Sequence, residues 1–152
     1  MAAEQRIVLL SLRPRFATAI LEGKKTVELR RVHMLAPAGS LLLLYSSSPM
    51  RAIVGTATLD RLQESTPRQL WEEVMSRAAI SRGEYDEYYR GARRAFALHL
   101  RDVRALPTPS PLAVMRSSAG VSPAQSFRYV TADEASLLAG HRPSTYADAL
   151  SR

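Results

Sequence analysis

The stretch GKKTVELR, residues 23–30, marks the point where a helical pattern ends and a strand pattern begins. Its Lys24 and Lys25 are the only lysines among the 21 basic residues of the chain. An arginine stays protonated at every working pH, whereas a lysine amine can lose its proton when it is desolvated or crowded by cations. The pair therefore marks either a site that needs a titratable amine or an ordinary exposed turn.

The residues around this stretch follow two periods. Pro14 suits the first turn of a helix whose apolar residues recur at helical spacing, and Gly23 is the usual residue at a helix C-terminus. From Lys25 the period becomes two, which predicts a half-buried strand with Val27 and Leu29 in the core. The opposite face of that strand would carry Thr26, Glu28 and Arg30.

Similar patterns predict the other elements. Apolar or alternating runs indicate strands at residues 7–12, 41–45, 53–59 (with Gly55 at a close backbone approach) and 95–103. Helices are expected from Pro67, from Ser81 and over residues 133–139, and the proline-rich residues 106–111 should run extended along a sheet edge. This order predicts an α+β fold, a curled sheet or small β-barrel with flanking helices. We expect one domain over 1–152, with its core at about 7–130 and a C-terminal helix and tail at 131–152.

Composition narrows the class of protein. The chain has 152 residues, is 46% hydrophobic and 23% charged, and has no cysteine and only scattered histidines, so we expect neither a metal nor another cofactor. Residues 1–6 do not form a secretory signal and no apolar run is long enough for a membrane span, which favours a cytoplasmic protein. The net charge of +7 favours an anionic partner such as nucleic acid or a nucleotide, although a solvated arginine-rich surface would give the same value.

The spacing GxKxxExR at residues 23–30 resembles the signature of the ASCH domain family, which is related to the PUA fold. Further blocks of the chain also resemble it: residues 10–20, 45–55, 84–91 and 125–129. The resemblance implies a small PUA-like β-barrel with helices over its ends, and a cleft that binds RNA or nucleotides. One small type of member hydrolyses N4-acetylcytidine with a lysine, a threonine and a glutamate. Lys25 matches that lysine, Glu28 occupies the threonine's position, and Glu84 is the best match for the glutamate.

We therefore expect a site built around the motif. Lys25 would be a charged ligand or, if partly neutral, a base; Glu28 would accept from a base edge or hold Lys25; and Arg30 would bind a phosphate or carboxylate. The alternative for Glu28 and Arg30 is a surface ion pair without function. Other candidate ligand-binding residues are Arg13, Tyr45, Ser46, Ser47, Phe127, Arg128 and Tyr129. For the aromatic residues base stacking competes with core packing, and for the serines a ligand site competes with an ordinary turn.

Two main functions remain open from the sequence. One is a binder of RNA or of a modified nucleoside or nucleotide. The other is a metal-independent hydrolase of a modified nucleoside, with Lys25, Glu28 and Glu84 as its catalytic residues. Ribonuclease activity using Lys25 and Glu28 ranks third, and a module that senses a small ligand is a further class. The sequence leaves the oligomeric state open.

Overall fold

The computed structural model describes residues 5–139, and within them the chain forms six strands and five helices. The strands are β1 (Ile7–Leu12), β2 (Val27–Arg30), β3 (Leu41–Ser46), β4 (Ala52–Ser65), β5 (Ala95–Pro111) and β6 (Phe127–Val130). The helices are α1 (Pro14–Leu21), α2 (Pro67–Val74), α3 (Arg82–Tyr88), α4 (Leu112–Val114, followed by a π-helical turn, Met115–Ala119) and α5 (Ala132–Leu138). The expectations for the first four residues and for the tail after residue 139 lie outside the described residues.

All six strands belong to one mixed, curled sheet in the order β2-β5-β4-β3-β1-β6. The pair β1 and β3 is parallel, with α1 and β2 between them in the chain, and every other pair is antiparallel. The sheet order leaves β2 and β6 as the two edge strands. The predicted α+β class with a curled, barrel-like sheet and flanking helices is confirmed.

Apolar residues form three clusters that fix the helices to the sheet. The largest joins α1 to the face of the sheet that carries Val8, Leu42 and Leu98. A second lies between the other face, α5 and the π-helical turn. A third packs Val27 and Leu29 of β2 against α2 and α3.

Strand β2 differs from its prediction. It was expected to be half-buried, but all four of its residues are buried. The alternation itself is correct: Val27 and Leu29 face α2 and α3, whereas Glu28 lies opposite Leu98 on the side of the largest cluster. The strand is buried on both faces because helices cover one face and the curled sheet encloses the other.

Strands β4 and β5 are longer than the sequence patterns indicated, reaching Ser65 and Pro111. The prediction that the proline-rich segment runs along a sheet edge is confirmed, because β2 pairs with β5 only over residues 96–99, whereas β4 pairs with β5 as far as Pro111. The predicted close approach at Gly55 is also present: a Cβ atom there would lie 2.6 Å from the carbonyl oxygen of Arg104.

Candidate functional site

Lys25 lies between α1 and β2, where Gly23 adopts a left-handed conformation (φ +79°) that turns the chain out of the helix. Its side chain is 1% exposed, so it is not the surface turn residue that composition allowed. The Nζ atom donates a hydrogen bond to the carbonyl oxygen of Ala78, lies 3.5 Å from Oε1 of Glu28 and stands 4.7 Å from the ring centre of Phe16. Two of the three N–H groups of an ammonium would thus have acceptors.

Glu28 and Arg30 are in direct contact on one face of β2. Nη2 of Arg30 donates to Oε2 of Glu28 at 2.7 Å, and Oε1 of Glu28 also accepts from the backbone N–H of Leu29 at 3.0 Å. Both side chains are less than a tenth exposed. The pair is therefore buried, unlike the surface ion pair that the sequence left open.

Arg30 also connects distant parts of the sheet. Its Nη2 donates to the carbonyl oxygen of Ser11 in β1 at 2.7 Å, and its Nη1 donates to the hydroxyl of Ser126 at 3.0 Å and to that residue's carbonyl oxygen at 3.3 Å. Ser126 directly precedes β6, so Arg30 bridges the two edge strands of the sheet. Its Nε is the buried side-chain nitrogen or oxygen atom without a partner among the described residues.

Burial dominates the electrostatics of Lys25. Desolvation lowers the pKa of its amine, and the neighbouring Glu28 opposes that change. Arg30 and Arg15 add smaller effects that also lower this pKa. The amine is therefore more easily deprotonated than a surface lysine, while its ion pair with Glu28 limits the effect.

A cleft of about 750 Å³ opens beside these groups. We call it the Lys25 cleft. Its lining comprises Ser11, Leu12, Arg13, Arg15, Phe16, Lys25, Glu28, Leu29, Arg30, Ser47, Ile80, Gly83, Glu84, Glu87, Tyr88, Gln125 and Ser126. Four of these side chains are basic and three are acidic, so the cleft is mixed in charge rather than uniformly basic.

Six of the residues proposed from the sequence line the cleft: Lys25, Glu28, Arg30, Glu84, Arg13 and Ser47. Glu84 does not pair with Lys25. Instead its carboxylate forms a bidentate ion pair with Arg15 of α1, and that contact lowers the pKa of the carboxyl group. Its backbone N–H also donates to the hydroxyl of Ser81, the cap of α3.

The other five proposed residues are not among those that line the cleft: Tyr45, Ser46, Phe127, Arg128 and Tyr129. Tyr45 belongs to the apolar cluster on the far face of the sheet, and Ser46 is buried at the end of β3. Phe127 and Tyr129 pack edge to face against each other beside the largest cluster, and the Tyr129 hydroxyl accepts from the N–H of Leu35.

Arg128 lies on β6 between those two aromatic residues. It donates to the carbonyl oxygen of Ser122 and stands 3.8 Å from the carboxylate of Glu134. The alternation of the strand separates it from its aromatic neighbours, so the three residues do not form one stacking surface.

Several residues that line the cleft were not predicted from the sequence. Phe16 was assigned to the helix pattern and to a block that resembles the family, and Arg15 was not singled out. Ser11 and Ser126 lay in resembling blocks but were not proposed as site residues. The helical spacing of Phe16 indicated core packing, but its ring is only partly buried and contacts both Lys25 and Arg15. Ser126 contacts Arg30 although 96 positions separate them in the sequence, and local sequence patterns do not predict contacts between such distant residues.

Two further observations concern residues 5–139 alone. No helix there combines the length and apolar character that crossing a bilayer requires. No three His, Asp or Glu side chains of that region come together as metal ligands would.

The curled six-stranded sheet, its flanking helices and the buried cluster of Lys25, Glu28 and Arg30 define a small α+β domain. The chain belongs to the ASCH domain family, and residues 7–121 match the family model described as "Domain of unknown function (DUF365)". A protein of Zymomonas mobilis named "ASCH domain-containing ribonuclease" is 29% identical over 131 residues, covering 86% of this chain and 88% of that protein.

Solved structures agree with this assignment. The crystal structure of ASCH from Zymomonas mobilis superposes with a TM-score of 0.83 at 30% identity, covering 88% of this chain and 93% of the other. The N-terminal domain of Staphylothermus marinus McrB superposes with a TM-score of 0.54 at 12% identity, covering 90% of this chain and 94% of the other, a likeness of fold alone.

Proposed function

We propose that this protein binds single-stranded RNA in the Lys25 cleft and cleaves it there. The relative named as a ribonuclease, which this chain matches over most of its length, supports an RNA substrate. The net charge of +7 favours association with a polyanion. The cleft volume of about 750 Å³ falls within the range of ordinary ligand sites, so it has room for a nucleotide.

The observation that carries the proposal is the buried amine of Lys25 at the wall of this cleft. Because burial lowers its pKa, this amine is neutral more often than that of a surface lysine, and the neutral form can act as a general base. In the proposed step Nζ takes the proton of a ribose 2′-hydroxyl while the 2′-oxygen bonds to the adjacent phosphorus. The bond from phosphorus to O5′ breaks, and O5′ leaves with a proton from solvent. The products are a 2′,3′-cyclic phosphate and a 5′-hydroxyl end, and the ammonium of Lys25 then returns its proton to solvent.

Glu28 and Arg30 hold the amine in place in this account. The carboxylate of Glu28 already accepts from Arg30 and from the N–H of Leu29 and faces Lys25, so both of its oxygens have partners within the protein. The terminal nitrogens of Arg30 are occupied by Glu28, Ser11 and Ser126. The proposed phosphate ligands are therefore Arg13, which is exposed at the cleft rim, and Arg15.

A second candidate is hydrolysis of the acetyl amide of N4-acetylcytidine, which would release acetate and cytidine. Its support is the Lys25–Glu28 contact together with the family resemblance. Glu84, the proposed partner of Lys25 in that reaction, pairs with Arg15 instead. The geometry therefore favours RNA cleavage.

The test compares Lys25→Arg with Lys24→Arg, which exchanges the exposed neighbour and serves as the matched control. Arginine keeps the charge but does not deprotonate, so Lys25→Arg should lose cleavage of a labelled single-stranded RNA by about 100-fold or more, and Lys24→Arg should keep it. Lys25→Met, which is neutral and similar in length, should be equally inactive, and thermal melting checks that both variants fold.

Three results separate the alternatives. Full activity of Lys25→Arg would rule out the base role. Salt-sensitive RNA binding without cleavage by the unchanged protein would leave only the binding function. Acetate release from N4-acetylcytidine without action on RNA would favour the second candidate.

A further inference from the structure

The mouth of the Lys25 cleft is crossed by an ion pair between two helices. Arg15 of α1 and Glu84 of α3 meet through the two terminal nitrogens of the guanidinium and both oxygens of the carboxylate. Their side chains are 51% and 43% exposed, so the pair lies at the surface of the cleft, unlike the buried Glu28–Arg30 pair. Arg15, one of the proposed phosphate ligands, is thus already paired with a carboxylate.

The same arginine lies over the aromatic ring that contacts Lys25. The guanidinium carbon of Arg15 stands 4.4 Å from the ring centre of Phe16, and Nζ of Lys25 stands 4.7 Å from the same centre. Lys25 is 1% exposed although it borders an open cleft, and Phe16 is the aromatic residue that contacts it. Because Phe16 and Lys25 both line the cleft and are in contact, movement of this ring would expose the amine to a ligand.

We propose that a phosphate group of the RNA replaces the carboxylate of Glu84 on Arg15 and thereby releases Phe16 from its position over Lys25. This inference rests on the proposed function and adds a control of access to Lys25 by the pair of Arg15 and Glu84. Carboxylate and phosphate both fit the guanidinium fork through two parallel hydrogen bonds. Glu84 thus occupies the place that the substrate's phosphate takes.

Energetics favour such an exchange. An ion pair with both partners about half exposed contributes little to stability, because water solvates the separated charges well. A phosphate held elsewhere in the cleft can therefore displace the carboxylate at small cost. The buried contacts of Glu28 would be far harder to break, since separation would leave charges without partners in the interior.

The chain offers a matched control in Glu87, which lines the same cleft but pairs with Arg90 at 2.5 Å. Glu84→Gln and Glu87→Gln remove the same charge, and only the first removes the competitor for Arg15. Binding of a fluorescein-labelled single-stranded RNA, followed by anisotropy at fixed ionic strength, should be at least about threefold tighter in Glu84→Gln than in Glu87→Gln. In an Arg15→Ala background the Glu84→Gln exchange should have no such effect.

Equal affinities of the two single variants, or a gain that persists without Arg15, would overturn the inference and leave the proposed function intact. Absence of RNA binding by the unchanged protein would overturn both.

Access to Lys25 gives a second readout without RNA. In a Lys24→Arg background Lys25 is the single lysine of the chain, so reductive methylation followed by peptide mass spectrometry reports its exposure directly. Methylation should be several-fold faster when Glu84→Gln or Phe16→Ala is added, and unchanged when Glu87→Gln is added. Equal rates in all these proteins would show that neither the ion pair nor the ring covers the amine.

Discussion

Arg30 makes four hydrogen bonds through its two terminal nitrogens, to groups from three separate segments of the chain. A lysine at this position would offer one nitrogen and could not reach β1, the residue before β6 and Glu28 together. At Lys25, in turn, an arginine would not suit, because the space between Ala78, Glu28 and Phe16 holds a compact amine that can lose its proton. The chemistry of the two cations thus explains why the motif combines both types.

The first prediction for a single residue concerns Arg30. Replacing it with alanine should lower the free energy of unfolding by about 3–5 kcal/mol, because Glu28 would lose a buried partner and the edge strands would lose their bridge. Arg94→Ala breaks an ion pair to Glu64 whose partners are both nearly half exposed, and it should cost less than about 1 kcal/mol. Urea unfolding measures both values. A similar, small cost for the two variants would mean that the bonds of Arg30 to Glu28, Ser11 and Ser126 do not stabilise the fold.

The second prediction concerns His99, a buried residue of β5 whose Nε2 lies 2.8 Å from Oε1 of Gln63. Burial, followed by the charges of Arg61 and Arg77, lowers the pKa of this imidazole from 6.5 to about 4. Between these two values the unfolded chain binds the proton more readily, so the free energy of unfolding falls as the pH falls.

Between pH 7 and pH 5 the loss attributable to His99 should be about 2 kcal/mol. Urea unfolding at both pH values, in the unchanged protein and in His99→Gln, isolates this contribution because other titrating groups are common to both. An equal loss in the two proteins would contradict the prediction.

At the scale of the elements, hydrophobic periodicity located β1 to β5 but not the full lengths of β4 and β5, and it did not predict β6 or α4. Strand β5 continues through three prolines to residue 111. Proline has no backbone N–H to donate, but β2 pairs with β5 only over residues 96–99, so beyond them no strand on that side of β5 needs such a donor. Strand β2 showed the alternation of a half-buried strand yet is buried on both faces. Its second face is covered by segments from elsewhere in the chain, which no local pattern contains.

A prediction at this scale concerns Gly55 in β4. A Cβ atom there would lie 2.6 Å from the carbonyl oxygen of Arg104 and 2.7 Å from Cδ2 of Leu21, so Gly55→Ala should destabilise the protein by about 1–3 kcal/mol. Gly83→Ala is the matched control: this residue lies in α3 with no heavy atom within 4 Å of the added carbon, and it should be neutral or stabilising by up to about 1 kcal/mol. Thermal melting compares the two. Equal melting temperatures would mean that β4 and β5 leave enough space at Gly55 for a methyl group.

At the scale of the whole molecule, the motif placed Lys25, Glu28 and Arg30 in one site because the three lie within six residues of one another. The other walls of the cleft come from residues up to 96 positions away, such as Ser126, and only the folded sheet brings them together. Net charge was a poor guide to the site itself. The chain carries +7, yet the cleft has four basic and three acidic side chains.

The central claim is that RNA binds in the Lys25 cleft, and mapping of backbone amide chemical shifts by NMR tests it most directly. The probe is a short single-stranded 2′-O-methyl RNA, which lacks the free 2′-hydroxyl and so is not cleaved by the proposed step. The largest shifts on titration should cluster at Ser11, Phe16, Ser47 and Ser126, around the cleft. If the largest shifts fell in the paired strands β4 and β5 away from the cleft, or if no shifts appeared at saturating RNA, binding in the Lys25 cleft would be contradicted.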